Sequence, residues 1–263
     1  MSTLSLAVTD SATMLRRNLR HMQRYPSLTF MLIGMPVVFL LLFVYVFGGT
    51  LGAGLGGASG GRKEYLAYVT PGILLMAAAG AATGTAVSVA MDMTEGIVAR
   101  FRTMAISRAS VLTGHVVGSM IQTLLAMAAV LGVALLLGFR PDASPVEWAA
   151  VAALLVLFVL ALTWLAVALG LVADSVESAS NSPMPLMLLP FLGSGFVPTD
   201  SMPDGLRLFA DFQPFTPVIE TLRGLLMGTE IGDSAAIALA WCTGLTVVGY
   251  LWSRHLYNRD PSR

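Results

Sequence analysis

Long apolar stretches separated by short polar segments make up most of this chain. A helix that crosses the roughly 30 Å hydrocarbon core of a bilayer needs about 20 consecutive, mainly apolar residues. Several stretches reach this length, and the clearest of them carry no acidic or basic residue in their interior. The pattern therefore predicts an all-α integral membrane protein. Six spans are predicted: Leu28–Phe47, Tyr68–Met91, Val111–Gly138, Trp148–Ala173, roughly Ser182–Val197, and Ala235–Trp252.

The fifth predicted span is less regular than the others. Its prolines and glycines predict an interrupted helix, whose freed backbone groups must be satisfied by surrounding protein or by a water-filled cavity. Pro36 in the first span predicts a kink rather than a break. The residues that predict the interruption are Pro183, Pro185, Pro190, Gly193 and Gly195.

The composition agrees with the hydrophobic pattern, because 56% of the residues are hydrophobic, 11% are charged and the mean hydropathy is +0.78. Ordinary soluble domains carry roughly 25% charged residues. The composition thus argues against a cytosolic enzyme, a disordered chain and a nucleic-acid-binding protein. Residues 1–263 suit one transmembrane domain, and the lone Cys242 is expected to be a packing residue.

Basic residues are shared unevenly between the two sides of the predicted membrane. Six spans place both termini on one side, and that side holds ten of the 15 basic residues. Because Lys and Arg mark cytoplasmic segments, both termini are predicted to be cytoplasmic, in a multi-pass protein of the cell membrane. All basic residues except Lys63 are Arg, which together with the many Ala, Gly and Val residues is typical of a high-GC bacterium. The ten are Arg16, Arg17, Arg20, Arg24, Arg100, Arg102, Arg108, Arg254, Arg259 and Arg263.

The segment before the first span predicts an amphipathic helix over residues 4–24. Such a helix suits the cytoplasmic membrane surface, where anionic lipid headgroups attract the arginines on its polar side. The alternative is that these arginines act only as a topology signal. At the other end of the chain, residues 253–263 are predicted to form a cytoplasmic tail. The apolar stripe of the N-terminal helix consists of Leu4, Val8, Leu15, Leu19 and Met22.

The connection between the second and third spans predicts a short cytoplasmic helix. Ile97, Phe101 and Met104 are spaced i, i+4 and i+7, and arginines flank this stripe. A helix of this kind, exposed below a membrane bundle, is suited to docking into an apolar groove of a soluble partner. The alternative is that its apolar side lies against the membrane or the bundle.

The outer segment between the fifth and sixth spans predicts two short helices, Pro203–Asp211 and Val218–Met227. The second ends at Gly228, a residue type that commonly terminates helices. Neither can cross a membrane, so both are expected to re-enter the outer leaflet or to lie over it. A loop this long is usually functional.

The sequence contains no motif for ATP hydrolysis and no recognisable catalytic site. Gly52-Ala-Gly54-Leu-Gly56-Gly57 fits a dinucleotide-binding template, but it follows a membrane span without a strand and is interpreted as a flexible connector. His115 is expected to be a satisfied residue at the membrane interface. We find no P-loop, no metal-binding spacing and no credible catalytic triad, so neither a cofactor nor a metal is expected in this chain.

The predicted spans carry no Asp, Glu, Lys or Arg in their interiors, which bears on how transport is energised. Proton- or sodium-coupled carriers usually need buried ionisable groups, so the pattern favours a pathway driven by a separate ATPase. The alternatives are a stand-alone channel or secondary carrier and, third, an integral-membrane enzyme that acts on lipid.

Two motifs and the six-span layout resemble permeases of the ABC-2 type transporter family, in its daunorubicin-resistance-like branch. Residues 95–108, EGIVARFRTMAISR, resemble the coupling-helix region of that branch. Residues 196–203, FVPTDSMP, and the following Gln213-Pro214, Pro217, Glu220 and Arg223-Gly224 resemble its outer signature. Gln213 stands where the family often has Asn.

The resemblance implies a half-transporter that exports a hydrophobic or amphipathic molecule, such as a drug, an antibiotic or a lipid-like compound. Two copies of the permease, most simply a homodimer in the lipid bilayer, would bind two copies of an ABC ATP-binding subunit, which holds ATP and Mg²⁺. The residues implied in ATPase coupling are Glu95, Gly96, Ile97, Arg100, Phe101, Arg102, Met104 and Arg108. Those implied in an outer gate are Phe196, Pro198, Asp200, Pro203, Pro214, Pro217, Glu220, Arg223 and Gly224.

Aromatic and methionine side chains of the first and fifth spans are candidates for the lining of the pathway. An amphipathic substrate needs apolar, adaptable walls, which Phe and Met supply. The alternative for each of them is a lipid-facing or core-packing role. The candidates are Phe39, Phe43, Phe47, Met187 and Phe191, with Phe196 at their outer end.

Overall fold

The computed structural model describes residues 26–56, 61–94 and 108–258, and the regular structure in these ranges is helical. Within them, five helices are long and apolar enough to cross a membrane, which confirms the all-α class. The predicted helix over residues 4–24 and the segment 95–107 lie outside the described residues. The five candidate spans are Phe30–Gly54, Arg62–Thr94, Leu112–Leu136, Pro145–Val172 and Ser234–Tyr257.

The first span is a continuous helical run whose winding changes twice. Helix α1 (Pro26–Leu42) is followed by a π-helical turn at Phe43–Phe47 and by helix α2 (Gly48–Gly56). The expectation of a flexible glycine connector is therefore wrong for residues 52–56. The Gly61 backbone lies where a Cβ of Gly52 would be placed, so the missing side chain permits close packing rather than flexibility.

Helix α3 (Arg62–Thr94) is the central and most buried of the candidate spans. It packs against the first span, helix α4 (Arg108–Leu136) and helix α5 (Pro145–Val172). It extends beyond the predicted Tyr68–Met91 at both ends. Asp92 therefore lies inside the helix and is buried, which was not expected.

Helix α5 begins at a capping box and is covered along its length by the last helix. Ser144 Oγ accepts a hydrogen bond from Glu147 N, and Ser144 N donates to Glu147 Oε2. Helix α10 (Ser234–Asn258) packs on α5, where Ser253 Oγ donates to Trp164 O at 3.3 Å. Residues 253–258, which the sequence assigned to the cytoplasmic tail, continue this packed helix.

The fifth predicted span is not a continuous helix. Helix α6 (Val176–Asn181) precedes it, and helix α7 (Met184–Leu188) and turns over residues 189–196 lie within it. The interruption was expected from the prolines and glycines. No helix of this segment is long enough to cross a membrane, so five of the six predicted spans are found as spanning helices among the described residues. We call residues 176–196 the broken segment.

The broken segment follows α3 in the antiparallel direction. Close approaches along it pair Met187 with Gly80, Gly195 with Gly72, and Phe196 with Tyr65. The Tyr65 hydroxyl donates to Phe196 O at 3.1 Å. The turns therefore lie beside the first three turns of α3.

Both predicted outer helices are present, the first shifted by one residue and the second three residues longer at its start. Helix α8 spans Asp204–Phe212 and helix α9 spans Phe215–Met227. Helix α9 ends at Gly228, which has φ +68° and donates from its N to Gly224 O at 2.8 Å, as the sequence predicted. Helix α9 is largely buried against α3, α5 and α10, whereas α8 is exposed.

Buried apolar side chains of the described residues form two separate clusters. The main core includes residues of α3, α5 and α9. A smaller group, which we call the second cluster, lies near the end of α3 that carries Asp92. Its members are Val89, Leu112, Val116, Val167 and Tyr257.

Candidate functional site

Five phenylalanines from two distant parts of the sequence meet beside the first turns of α3. The rings of Phe191 and Phe196 are stacked, with centroids 4.4 Å apart and an interplanar angle of 7°. Phe43 lies 4.5 Å from Phe196, and Phe39 lies 5.9 Å from Phe191. Phe47 joins through Phe43 at 5.6 Å. We call these five residues the aromatic cluster.

The local backbone explains why these rings converge. Phe39, Phe43 and Phe47 are spaced by four residues, which places them on one side of the first span. The π-helical turn at Phe43–Phe47 interrupts the regular winding at this point, and such turns are frequent at functional sites. The turns after Pro190 bring Phe191 and Phe196 against the same side.

Exposure differs among the members of the aromatic cluster. Phe196 is 4% exposed and Phe47 is 40% exposed, while Phe39, Phe43 and Phe191 are half-buried. The fifth lining candidate, Met187, lies further along α3, where its Cε is 4.0 Å from the Cβ position of Gly80. Exposure within the aromatic cluster thus ranges from the buried ring of Phe196 to the exposed ring of Phe47.

A buried arginine adjoins the aromatic cluster. Arg223 of α9 is 8% exposed, and its guanidinium donates from Nη1 to Glu220 Oε1 at 2.7 Å. Its Nη2 donates to Ser194 O at 2.8 Å and to Tyr68 O at 3.1 Å, while Cζ lies 3.8 Å from the centre of the Tyr68 ring. Its Nε has no hydrogen-bond partner among the described residues. This one side chain links α9, α3 and the broken segment, an arrangement we call the arginine junction.

Gln213 satisfies backbone groups that the interruption leaves free. Its Nε2 donates to Leu189 O at 3.2 Å and to Thr216 Oγ1 at 2.9 Å, and its Oε1 accepts from Phe215 N at 3.0 Å. Ser194 N donates to Thr216 Oγ1 at 3.3 Å. The irregular backbone is therefore held by protein, as an interruption at membrane depth requires.

A cavity of about 530 Å³ opens beside the arginine junction. Carboxylates predominate among its charged lining groups, and Arg223 forms part of its wall. Arg207, outside the lining, pairs with Asp200 at 2.5 Å and with Asp211 at 3.7 Å, and both contacts are exposed. We call this space the outer cavity. Its acidic lining residues are Asp200, Asp211, Glu220 and Glu230.

The structure places the predicted outer-gate residues around these features. Phe196 belongs to the aromatic cluster, and Pro203 and Pro214 cap α8 and α9. Gly224 leaves room for Ile231 against α9. The remaining ones line the outer cavity: Pro198, Asp200, Pro217, Glu220 and Arg223.

The predicted coupling residues fall outside the described residues, apart from Arg108, the first residue of α4. Sequence reasoning missed Tyr65, Tyr68, Ser194 and Thr216 as parts of the site. Tyr68 opens an apolar run and Thr216 follows the quoted Gln213-Pro214 pair, but their roles depend on contacts across the fold.

Comparison with known proteins agrees with this architecture. The sequence model of the ABC-2 type transporter family matches residues 10–227. The chain is 28% identical over 253 residues to the daunorubicin resistance ABC transporter permease protein DrrB1 of Streptomyces coeruleorubidus, covering 95% of this chain and 87% of that protein. It is 27% identical over 186 residues to the probable doxorubicin resistance ABC transporter permease protein DrrC of Mycobacterium tuberculosis, covering 68% and 65%. The family match extends from before the first span to the end of α9, and the chain belongs to the ABC-2 type transporter family.

Proposed function

We propose that this chain is the membrane-spanning permease of an ABC exporter in the cell membrane. It moves a hydrophobic or amphipathic molecule, such as a drug, an antibiotic or a lipid-like compound, outward across the bilayer. A separate ATP-binding subunit binds ATP and Mg²⁺ and hydrolyses the nucleotide. Family membership and the similarity to permeases named for daunorubicin and doxorubicin resistance support this assignment.

The aromatic cluster is the observation that carries the proposal for the pathway. Its rings come from the first span and from the broken segment, the two parts of the chain with irregular winding. Partly exposed aromatic rings provide the apolar surface that a ligand of this class needs. Met187 extends this wall along α3, since a flexible thioether adapts to ligands of different shapes.

We further propose that the broken segment completes a sixth crossing. Gly170, just before this segment, approaches Ala86 of α3, and Phe196 at its end is bonded to Tyr65. Ala86 follows Tyr65 by 21 residues, which at 1.5 Å per residue is about 32 Å along a helix. This length is comparable to the roughly 30 Å hydrocarbon core. Six crossings would put both termini on one side of the membrane, and the excess of Arg on that side favours the cytoplasm.

The outer end of the pathway is closed, in this proposal, by the arginine junction and by α8 and α9. Helix α8 exposes four large apolar side chains together with charged groups, a composition suited to the outer membrane interface. The arginine junction then fixes α9 against the broken segment and the aromatic cluster. The exposed apolar residues of α8 are Leu206, Leu208, Phe209 and Phe212.

The cytoplasmic contacts follow from the sequence. Residues 4–24 and Glu95–Arg108 would contact the ATP-binding subunit, of which two copies serve a homodimer of this chain. The first span and α10 leave broad apolar faces exposed in a single copy, including Phe30, Val46, Val248 and Leu251. These faces supply the surface that lipid and a second copy would cover.

Co-purification tests the assignment against a stand-alone channel or secondary carrier. The full-length chain, solubilised with its bilayer lipids and co-expressed with a candidate ABC ATP-binding subunit from the same genome, should retain that subunit at one copy per permease. A version in which residues 95–108 are replaced by a Gly/Ser linker is the matched control and should lose it. Full ATP-independent transport by the purified permease alone would contradict the proposal.

A further inference from the structure

A buried Asp–His hydrogen bond joins α3 and α4 at the end of α3 that lies opposite the aromatic cluster. The His115 Nε2 donates to Asp92 Oδ2 at 2.9 Å, and their side chains are 7% and 12% exposed. Asp92 lies two residues before the last residue of α3, and His115 lies in the second turn of α4. The pair thus ties together the two helices between which residues 95–107 run.

The surroundings of this pair make it an unusual feature. It lies at the level of the second cluster, which gathers Val89 of α3, Leu112 of α4, Val167 of α5 and Tyr257 of α10. Apolar side chains alone could pack these helix ends together. Removing ionisable groups from water is costly, and a buried pair of such groups is weak evidence for stability.

Helix α3 connects this pair to the outer site. Its first turns carry Tyr65, whose hydroxyl donates to Phe196 O, and Tyr68, whose carbonyl accepts a hydrogen bond from Arg223. Its last turns carry Asp92. Between them the helix is closely packed, and the Cβ position of Gly170 lies 2.5 Å from Ala86 O. Movement of the Asp92 end would therefore be transmitted along a packed helix towards the aromatic cluster.

We propose that Asp92 and His115 are a positioning pair that makes the ends of α3 and α4 move as one unit. A directional, charge-assisted hydrogen bond fixes the register of the two helices in a way that sliding apolar contacts do not. When the ATP-binding subunit acts on residues 95–108, both helices then shift together and the change reaches the outer site. This inference rests on the proposed function, since it requires a separate ATPase that engages this side of the permease.

The test is transport per ATP hydrolysed in the complete complex, reconstituted in proteoliposomes. Asp92→Ala removes the pair, and Asp92→Asn keeps an acceptor for His115 without the charge. We expect the ratio of transport to hydrolysis to fall roughly fivefold or more in Asp92→Ala, the lower end of typical coupling between sites, and to fall less in Asp92→Asn. Asp174→Asn, which alters an exposed carboxylate just after α5, is the matched control and should leave the ratio unchanged.

Rescue distinguishes positioning from a general structural role. The exchanged variant, Asp92→His with His115→Asp, restores an Asp–His hydrogen bond. It should recover part of the ratio of transport to ATP hydrolysis. A second rescue variant replaces both residues by Cys in a Cys242→Ala background. Joining the two cysteines with a short, cleavable thiol cross-linker should restore the ratio of transport to hydrolysis, and cleaving the cross-linker should abolish that recovery.

Two outcomes would overturn the inference. One is an unchanged ratio in Asp92→Ala, and the other is a loss of all these variants from the membrane, which would make the pair a folding element only. Failure of the proposed function would look different, because the wild-type complex would then show no ATP-driven transport at all.

Discussion

The Cζ atom of Arg223 lies over the Tyr68 ring, 3.8 Å from its centre, while Arg223 Nη2 donates to the Tyr68 carbonyl. One residue of α3 is thus held by one residue of α9 through both its ring and its backbone. Because Arg223 also bonds Ser194 O, the contact joins three segments that the sequence separates widely. It connects the outer helices to the central helix of the fold.

Replacing Arg223 by Ala should destabilise the protein more than removing an exposed arginine nearby. The change leaves the carbonyls of Tyr68 and Ser194 buried without this donor, and breaking such a buried network costs about 3 kcal/mol. The apparent melting temperature of the solubilised protein should fall by roughly 5–10 °C. Arg207→Ala is the control and should shift it by less than about 3 °C, because exposed ion pairs contribute little. Equal shifts in the two variants would contradict the arginine junction.

Gly72 should tolerate no side chain, whereas Gly84 in the same helix should. A Cβ on Gly72 would lie 2.5 Å from Gly195 O, while nothing lies within 4 Å of the Cβ position of Gly84. Gly72→Ala should therefore destabilise the protein by about 1–3 kcal/mol, and Gly84→Ala should be neutral or stabilising by up to about 1 kcal/mol. Thermal unfolding in detergent measures both. A tolerated Gly72→Ala would show that the broken segment does not pack here.

Phe43→Ala should weaken substrate binding without abolishing ATP hydrolysis. Phe43 contacts four other rings of the aromatic cluster, at centroid distances from 4.5 to 6.3 Å. Loss of one aromatic contact worth about 1–1.5 kcal/mol lowers affinity roughly five- to tenfold. Doxorubicin fluorescence with the reconstituted complex reports the binding.

The matched control for this prediction is Phe30→Ala, since Phe30 is also on α1 but 76% exposed. This variant should bind the probe as the wild type does. If both variants lose affinity equally, or neither does, the aromatic cluster does not line the pathway.

Replacing Phe101 or Arg102 by Ala should uncouple the ATPase while leaving the permease in the membrane. Both belong to the segment implied to dock on the ATP-binding subunit, through an apolar anchor and a flanking cation. Stimulation of ATP hydrolysis by the permease should be lost. Arg254→Ala, an exposed arginine near the end of α10, is the control and should retain it. Unchanged stimulation in Phe101→Ala would exclude this docking role.

The sequence predicted most of the helices, because their signals are local. Apolar length placed the five continuous spans, the prolines and glycines after Ser182 predicted the interruption, and Gly228 marked the end of α9. The lining candidates were chosen as the aromatic and Met residues of the first and fifth predicted spans, and the structure brings the five phenylalanines among them together.

Other features depend on contacts across the fold and could not be predicted. Arg223 was implied as an outer-gate residue, but its burial and its bonds to α3 and the broken segment had no local signal. The pairing of Asp92 with His115 joins residues 23 positions apart on different helices. Gly52 belongs to a helix and packs closely on Gly61, while the local glycine pattern favoured a flexible chain. In each case a tertiary contact outweighs the local preference.

ATP-driven transport by the purified components tests the central claim most directly. The permease is reconstituted in proteoliposomes with and without its ATP-binding subunit, and uptake of a hydrophobic fluorescent compound is followed after adding ATP and Mg²⁺ to the exposed cytoplasmic side. We predict uptake only when both subunits, ATP and Mg²⁺ are present. Equal uptake without the ATP-binding subunit would contradict the account.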